Sequence, residues 1–144
     1  MPSSMPDPNE TELQDQIDAF LDGSPHAVVG ASTDRDKYGN KVLRVYQQND
    51  RPVYPINPKA GEVEGLTAYP DLASLPEKPH GISIITPPHI TESIVEQAAE
   101  LGIRHLWMQP GAEFDGAAER GEALDVNIIP GTACILVMLG YTER

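Results

Sequence analysis

The stretch that decides the fold is Ala27-Val28-Val29-Gly30-Ala31-Ser32, which continues into Thr33-Asp34-Arg35-Asp36-Lys37-Tyr38-Gly39-Asn40. A short apolar run ends in Gly-x-Ser, and a polar loop then leads into a helical pattern. This order is typical of the first strand, loop and helix of an open α/β sheet. Gly30 permits a tight turn and the close approach of a ligand to the backbone, and the N-terminus of the next helix favours an anion. The stretch therefore predicts either a phosphate-binding turn or a plain strand–helix connection.

Apolar patterns of the same kind continue along the chain. Strands are predicted at residues 26–30, 52–57, 81–85, 104–108 and 126–129, and helices at about 9–23, 39–49, 90–101 and 115–124. Residues 62–75 are predicted to form a loop with a small strand at 66–69 and a short helical turn after Pro70, and residues 132–140 favour a closing helix. Because strands alternate with helices, we expect a single α/β domain with a mainly parallel, five-stranded sheet. Residues 1–8 are interpreted as a flexible N-terminal arm and residues 9–144 as the domain.

Composition narrows the class of protein. The chain has 144 residues, of which 40% are hydrophobic and 22% charged, as expected for one compact domain. It has no apolar run near the ~18–20 residues of a membrane span and no signal-peptide pattern, and its single cysteine suits a reducing cytoplasm. We therefore predict a cytoplasmic protein without a membrane partner.

Charge is unevenly distributed. The net charge of −12 argues against a general nucleic-acid binder, which needs a basic face. Six basic and three acidic residues nevertheless fall between positions 30 and 60. This excess is either chance clustering on solvated surfaces or a local positive field for an anionic ligand.

Small, polar or proline residues follow four of the predicted strands. The four tips are Gly30-Ala31-Ser32, Asn57-Pro58-Lys59, Thr86-Pro87-Pro88 and Gln109-Pro110-Gly111. Since the carboxyl ends of parallel strands meet at one edge of a sheet, we expect these tips to shape a ligand cleft.

The tips do not match the fingerprint for NAD. That fingerprint requires Gly-x-Gly-x-x-Gly and an acidic residue about 20 positions later that binds the ribose hydroxyls. Here Ser32 takes the place of the second glycine and Asn57 that of the acid, and Lys59 follows. A lysine there favours a phosphate near the ribose, as on the 3′-oxygen of coenzyme A (CoA) or the 2′-oxygen of NADP.

In combination, several of these motifs carry a resemblance to a known family. Val28–Ser32, the Tyr-Gly loop, Val53–Pro58, the Thr-Pro-Pro turn and Trp107–Gly111 resemble the small stand-alone CoA-binding proteins. Their domain is similar to the N-terminal domain of the succinyl-CoA synthetase α subunit. The resemblance covers roughly residues 24–140 and implies a Rossmann-like three-layer α/β/α domain. It also implies that CoA or an acyl-CoA binds at the carboxyl ends of the strands.

The resemblance assigns roles by position. It implies that Ser32–Arg35 hold the diphosphate together with the next helix N-terminus, and that Lys59 lies near the adenosine phosphate. Thr86–Pro88 would lie along the nucleotide, and Met108–Pro110 would approach the pantetheine arm. The full predicted cofactor-binding set is Gly30, Ala31, Ser32, Thr33, Asp34, Arg35, Lys37, Tyr38, Asn57, Pro58, Lys59, Thr86, Pro87, Pro88, His89, Met108, Gln109, Pro110 and Gly111.

Two departures bear on activity. Many relatives carry Asp-Arg-Cys with a glutamate four residues later, whereas this chain has Thr132-Ala133-Cys134 with Met138. The phosphohistidine segment of the synthetase lies in a further domain, which is not found in this sequence. A binding protein without evident catalysis is therefore favoured. An NAD(P)-dependent oxidoreductase and a subunit of an acyl-CoA ligase are the alternatives, and homo-oligomerisation is left open.

The remaining reactive residues have plainer interpretations. The four histidines show no metal-ligand spacing, so no metal site is predicted. His26 and His105, at strand starts, are expected at the surface or as caps, and His89 either caps a helix or touches ligand. Cys134 is expected to be a buried, inert thiol rather than a nucleophile, and Trp107 is expected in the core.

Overall fold

The computed structural model describes residues 8–143, with side chains from Glu12 onward. A parallel sheet of five strands forms its centre. In chain order the elements are α1 (Pro8–Leu21), β1 (His26–Val29), α2 (Tyr38–Gln48), β2 (Val53–Ile56), β3 (Glu62–Val63), β4 (Leu66–Thr67), a 3-10 turn (Leu72–Ser74), β5 (Gly81–Ile84), α3 (Pro88–Glu100), β6 (His105–Met108), α4 (Ala117–Leu124), β7 (Asn127–Ile129) and α5 (Ile135–Met138).

The strand order positions the candidate site. The sheet runs β2-β1-β5-β6-β7, and every pairing within it is parallel. The chain leaves β1 for β2 on one side and returns to β5 on the other, so the strand order switches between β1 and β5. The carboxyl ends align there, with Val29 opposite both Ile56 and Ile84. A ligand in such a sheet binds outside the switch point.

Helices cover both faces of the sheet, which confirms the predicted Rossmann-like α/β architecture. One face packs Ala27, Val29 and Ile82 against α3 and α4. The other packs Val28 and Trp107 against α1, α2 and α5. Neighbouring residues of β1 enter opposite cores because side chains alternate along a strand. All four residues of β1 and of β5 are buried, as expected for central parallel strands.

Local sequence signals account for the element boundaries. Pro55 is tolerated because β2 is the edge strand of the five-stranded sheet, and on its outer side Pro55 only accepts, through its carbonyl, from the Tyr69 amide at 3.0 Å. Pro88 begins α3, where its missing N–H costs nothing. Gly102 ends the same helix at φ +79°, a conformation that glycine adopts readily.

Three expectations about the elements need correction. The closing helix predicted over 132–140 is only the single turn Ile135–Met138. Residues 62–63 were expected in a loop but pair as β3 with β4 in a small antiparallel hairpin. Of the predicted N-terminal arm, residues 1–7 lie outside the described residues, and Pro8 begins α1.

His26 is fully buried, so the surface position expected for it is wrong, and the other expected role, that of a cap, agrees with its contact to the last turn of α1. Its ring stacks on Tyr46 at a centroid distance of 5.2 Å, and its Nε2 lies 2.8 Å from the Phe20 carbonyl oxygen. The end of α1 crosses the start of β1 and covers the ring. Burial lowers the pKa of His26 to about 4, because the charged form loses its hydration.

His105 is half-buried and stacks on His80 at 4.5 Å between ring centroids. Its Nδ1 lies 3.0 Å from the side-chain nitrogen of Asn127. Burial lowers the pKa of His105 as well.

Candidate functional site

The tip of β1 is shaped by two glycines. Gly30 has φ +99°, and a Cβ there would clash with the backbone oxygen of Ile85, the residue that follows β5. Its amide donates to the Ile56 carbonyl at 3.3 Å. Gly39, in the first turn of α2, could not carry a Cβ without striking the backbone oxygen of Gly30. Helix α2 therefore begins directly against the tip of β1.

The loop between β1 and α2 exposes its backbone. The Ser32 hydroxyl accepts from the Asp34 amide at 3.1 Å, and a carboxylate oxygen of Asp34 accepts from the Asp36 amide at 3.0 Å. Lys37, the N-cap residue of α2, provides no side-chain cap, and the first turn contains no acid. The first turn of α2 therefore places no carboxylate of its own at the positive end of the helix.

A polar network supports this loop from below. The Asn40 side-chain nitrogen donates to the Ser32 carbonyl at 2.8 Å and to Glu64 at 3.0 Å. Arg44 donates through Nε to the Asn40 side-chain oxygen at 2.7 Å and through Nη2 to the Arg35 carbonyl at 2.8 Å. The Arg35 side chain in turn pairs with Glu64 at 2.9 Å.

Sequence reasoning missed the structural roles of Asn40, Arg44 and Glu64. A polar i, i+4 pair at Asn40 and Arg44 inside an amphipathic helix was the available signal. Nothing local indicated Glu64, because it reaches this loop only through the hairpin β3–β4.

The tip of β2 is joined to that of β1 by Asn57. Its side-chain nitrogen donates to the Ala31 carbonyl, and its side-chain oxygen accepts from the Lys59 amide at 2.8 Å and the Ala60 amide at 3.0 Å. Pro58 and Lys59 themselves are exposed. Asn57 therefore orders the turn that presents the Lys59 side chain to solvent.

The tip of β5 forms an exposed rim. The hydroxyls of Thr86 and Thr91 lie 2.7 Å apart, and Thr91 also donates to the Thr86 carbonyl at 3.2 Å. Pro87, Pro88 and His89 are exposed on this turn. The threonine pair fixes the entry into α3 and leaves the proline surface open.

The tip of β6 divides the predicted residues into two groups. Met108 and Gln109 are buried, whereas Pro110 and Gly111 are exposed. The Gln109 amide donates to the Ile84 carbonyl at 3.0 Å, and the Gly111 amide donates to the Glu113 carboxylate at 2.9 Å. Met108 and Gln109 therefore form the floor of this edge and Pro110 and Gly111 its surface.

Tyr38 connects α2 with the segment after β7. Its hydroxyl lies 2.6 Å from the sulfur of Cys134 and 3.4 Å from the side-chain oxygen of Gln109. Burial is the main cause that raises the pKa of the Tyr38 phenol above its usual range, so the hydroxyl keeps its proton at neutral pH. Cys134 is half-buried rather than enclosed in the core.

A cavity of about 610 Å³ lies beyond the tips of β6 and β7. Met108, Phe114 and Ile128 contribute apolar walls, and the acids Glu12, Glu113, Asp115 and Glu119 also line it. Four carboxylates disfavour a phosphate group there. The β1–α2 loop, with an uncapped helix N-terminus and Arg35 and Lys37 nearby, is better suited to an anion.

Neither a metal-binding cluster nor a membrane-spanning helix is found in residues 8–143. Over that range, no group of three or more His, Cys, Asp or Glu side chains could hold a metal ion. No helix in the described part of the chain is long and apolar enough to cross a membrane.

The chain is similar to known proteins over most of its length. The family model of the CoA binding domain matches residues 25–140. Acetate–CoA ligase [ADP-forming] I of Archaeoglobus fulgidus is 32% identical over 103 residues, which are 72% of this chain and 15% of the ligase. The α subunit of acetate–CoA ligase [ADP-forming] II of Pyrococcus furiosus is 31% identical over 116 residues, which are 78% of this chain and 25% of the subunit.

A solved structure of similar size also matches. The conserved hypothetical protein from Pyrococcus furiosus superimposes with a TM-score of 0.75 at 34% identity, covering 81% of this chain and 99% of that one. The shared region in all three relatives is therefore a domain of this fold, and it makes up only a small part of the two ligases.

Proposed function

Because the chain belongs to the CoA binding domain family, we propose that it binds coenzyme A, free or acylated, where β1, β2, β5 and β6 end. The observation that carries the proposal is the tip of β1. There Gly30 turns the chain beside β5, and α2 begins uncapped within the same loop. Backbone amides and the helix dipole favour a diphosphate at such a turn.

Charge supports an orientation for the coenzyme. Ser32–Lys37 offer exposed backbone and two basic side chains for the diphosphate. Lys59, exposed after the edge strand β2, is placed for the 3′-phosphate of the adenosine. The exposed Pro87, Pro88 and His89 then offer an apolar and aromatic surface for the nucleotide, on the other side of β1.

The pantetheine arm would run toward β6. Pro110 and Gly111 are exposed there and can contact it directly. Met108 and Gln109 are buried, so neither offers the arm an exposed surface. They support the surface from beneath, and Gln109 also holds Tyr38.

Parallel titrations with CoA, acetyl-CoA, NAD and NADP test the proposal. A ligand that binds only the folded protein raises the midpoint of thermal unfolding according to its affinity. We expect CoA and acetyl-CoA to raise it, and calorimetry to yield one site per chain. A response to NADP alone would instead support the oxidoreductase, and no response to any of the four would contradict the proposal.

A subunit of an acyl-CoA ligase is the second candidate, because both curated relatives described above are ADP-forming acetate–CoA ligases. The chain spans 15% and 25% of their lengths. Incubating the chain with acetyl-CoA, ADP and phosphate tests whether it acts alone. ATP formation would support ligase chemistry by this chain, whereas coenzyme binding without turnover supports a binding role.

A further inference from the structure

Cys134 lies at the far end of the proposed cleft. It is the single cysteine of the chain, and it is half-buried between Ala133 and Ile135, whose exposures are 5% and 0%. Its backbone carbonyl accepts from the amides of Val137 and Met138, both at 3.1 Å. The buried neighbours and these bonds fix the position of the thiol.

Tyr38 links this thiol to the diphosphate loop. The residue begins α2, immediately after Lys37, and its hydroxyl reaches the Cys134 sulfur at 2.6 Å. The length of one tyrosine side chain therefore separates the N-terminus of α2 from the thiol. The pantetheine arm of CoA is longer than a tyrosine side chain, so its sulfur can reach Cys134 from a diphosphate bound at α2.

The side-chain amide of Gln109 lies against the same group of residues, and its hydrogen bonds are made by the oxygen. Gln109 is fully buried, and its side-chain oxygen accepts from the Ile135 amide at 3.2 Å and from Tyr38 at 3.4 Å. Among the residues that the structure describes, its side-chain nitrogen has no hydrogen-bond partner. If the Gln109 side-chain amide were flipped, its N–H₂ group would face the N–H of Ile135, so this contact determines which way the amide points.

A buried N–H₂ group without an acceptor is costly. The oxygen of the same amide contacts the Tyr38 hydroxyl and the Ile135 amide, so a ligand that enters among these residues would meet a donor. The pantetheine arm carries two amide carbonyls, and either can supply the missing acceptor. This second observation is independent of the cysteine.

From these contacts, we propose that Cys134 is a modification site that forms a mixed disulfide with coenzyme A, when the coenzyme arrives as CoA disulfide. The inference rests on the proposed coenzyme site. It adds a covalent state to reversible binding, in which the bound coenzyme is retained until a thiol reduces it.

The step is a thiol–disulfide exchange. The Cys134 thiolate attacks one sulfur of CoA disulfide, the Cys134–CoA disulfide forms, and the original S–S bond breaks. The second CoA leaves as a thiolate and takes up the proton that Cys134 lost. CoA disulfide supplies the oxidising equivalents, so no other oxidant is needed. The Tyr38 hydroxyl lies 2.6 Å from the sulfur and can hold it in place during the attack.

Intact-mass measurements on the full chain test the inference directly, because the chain has one cysteine. The protein is incubated with CoA disulfide or with glutathione disulfide at equal concentration, and the mass increase is followed in time. If the cleft positions CoA, its disulfide reacts at least about tenfold faster than glutathione disulfide, and excess reduced CoA slows it. In concentrated urea the two rates converge, and Cys134→Ser gains no mass.

The preference of Cys134 for CoA disulfide over glutathione disulfide tests this inference. Calorimetry with reduced CoA tests the proposed function separately. Equal rates for the two disulfides, or no adduct, would overturn the role of Cys134 even if calorimetry detects CoA binding. The absence of both CoA binding and a selective adduct would overturn the proposed function as well.

Tyr38→Phe adds a second readout, because it removes the hydroxyl without removing the thiol. We expect slower exchange with both disulfides, and an unchanged rate would remove Tyr38 from the step.

Discussion

The side-chain nitrogen of Asn57 donates to the backbone carbonyl of Ala31 over 2.9 Å, and this bond joins the tips of β2 and β1. The oxygen of the same amide holds the amides of Lys59 and Ala60. One side chain therefore determines both the spacing of two strand tips and the direction of the turn that carries Lys59.

Replacement of Asn57 by alanine should destabilise the fold. The variant loses three hydrogen bonds at a half-buried position, and we expect the free energy of unfolding to fall by about 1–3 kcal/mol. Urea unfolding of the variant and the parent protein measures the difference. Gln97→Ala is the matched control, since Gln97 is exposed and its side chain donates one hydrogen bond, to the Ser93 hydroxyl at 3.3 Å. An effect no larger than that of the control would contradict the structural role of Asn57.

Reversing the charge of Lys59 should separate CoA from dephospho-CoA. If Lys59 lies near the 3′-phosphate, Lys59→Glu weakens CoA binding by about tenfold or more and leaves dephospho-CoA binding within about twofold. Calorimetric titration of both ligands measures the two affinities. Lys78→Glu makes the same charge change beside the N-terminal end of β5 and should alter neither. Equal losses for both ligands would place Lys59 away from the 3′-phosphate.

Gly30 and Gly61 offer a matched pair of glycine substitutions. Gly30 has positive φ and a backbone oxygen in the place of a Cβ, whereas a Cβ on Gly61 would meet nothing within 4 Å. We expect Gly30→Ala to lower the free energy of unfolding by at least about 2 kcal/mol, and Gly61→Ala to change it by less than about 0.5 kcal/mol. Thermal and urea unfolding test this. Comparable effects at both positions would contradict the geometry of the β1 tip.

Acid should weaken the fold through His26. The folded-state pKa of about 4 lies below the ordinary value of 6.5, so the unfolded chain binds a proton first as the pH falls. The stability gained by burying the neutral ring is fully present above pH 6.5. It is lost progressively as the pH falls toward 4, and the total loss is at most about 3 kcal/mol. NMR titration of the histidine rings measures the midpoint directly, with His26→Phe used to assign the signal. A midpoint at or above 6.5 would show that the ring is hydrated.

Elements with strong local signals were predictable. The apolar runs at 26–30 and 81–85 are buried central strands, because a strand covered on both faces needs apolar side chains throughout. Pro88 and Gly102 mark the limits of α3 through backbone effects that act within one turn. The turn after β1 was predictable for the same reason, since the strain at Gly30 belongs to one residue.

Long-range contacts were not predictable. His26 was expected at the surface or as a cap, because its position at a strand start does not reveal that Phe20 of α1 packs on its ring. Met108 and Gln109 are expected to contact ligand from their position along the strand, but the sequence does not reveal that both are buried or that Gln109 bonds Ile135, 26 residues further along the chain. The short hairpin that brings Glu64 to Arg35 and Asn40 left no pattern in its own residues.

By itself, the sequence determined the alternation of strands and helices, the parallel sheet and the edge at which its polar tips meet. Apolar periodicity and backbone preference act over a few residues, so they can be detected in the sequence of each segment. Only the tertiary structure decided which side chains at that edge are exposed, which serve as supports, and that Tyr38, Gln109 and Cys134 meet. Those outcomes depend on the packing of segments distant in the chain, where burial and hydrogen-bond satisfaction are settled by all the neighbours together.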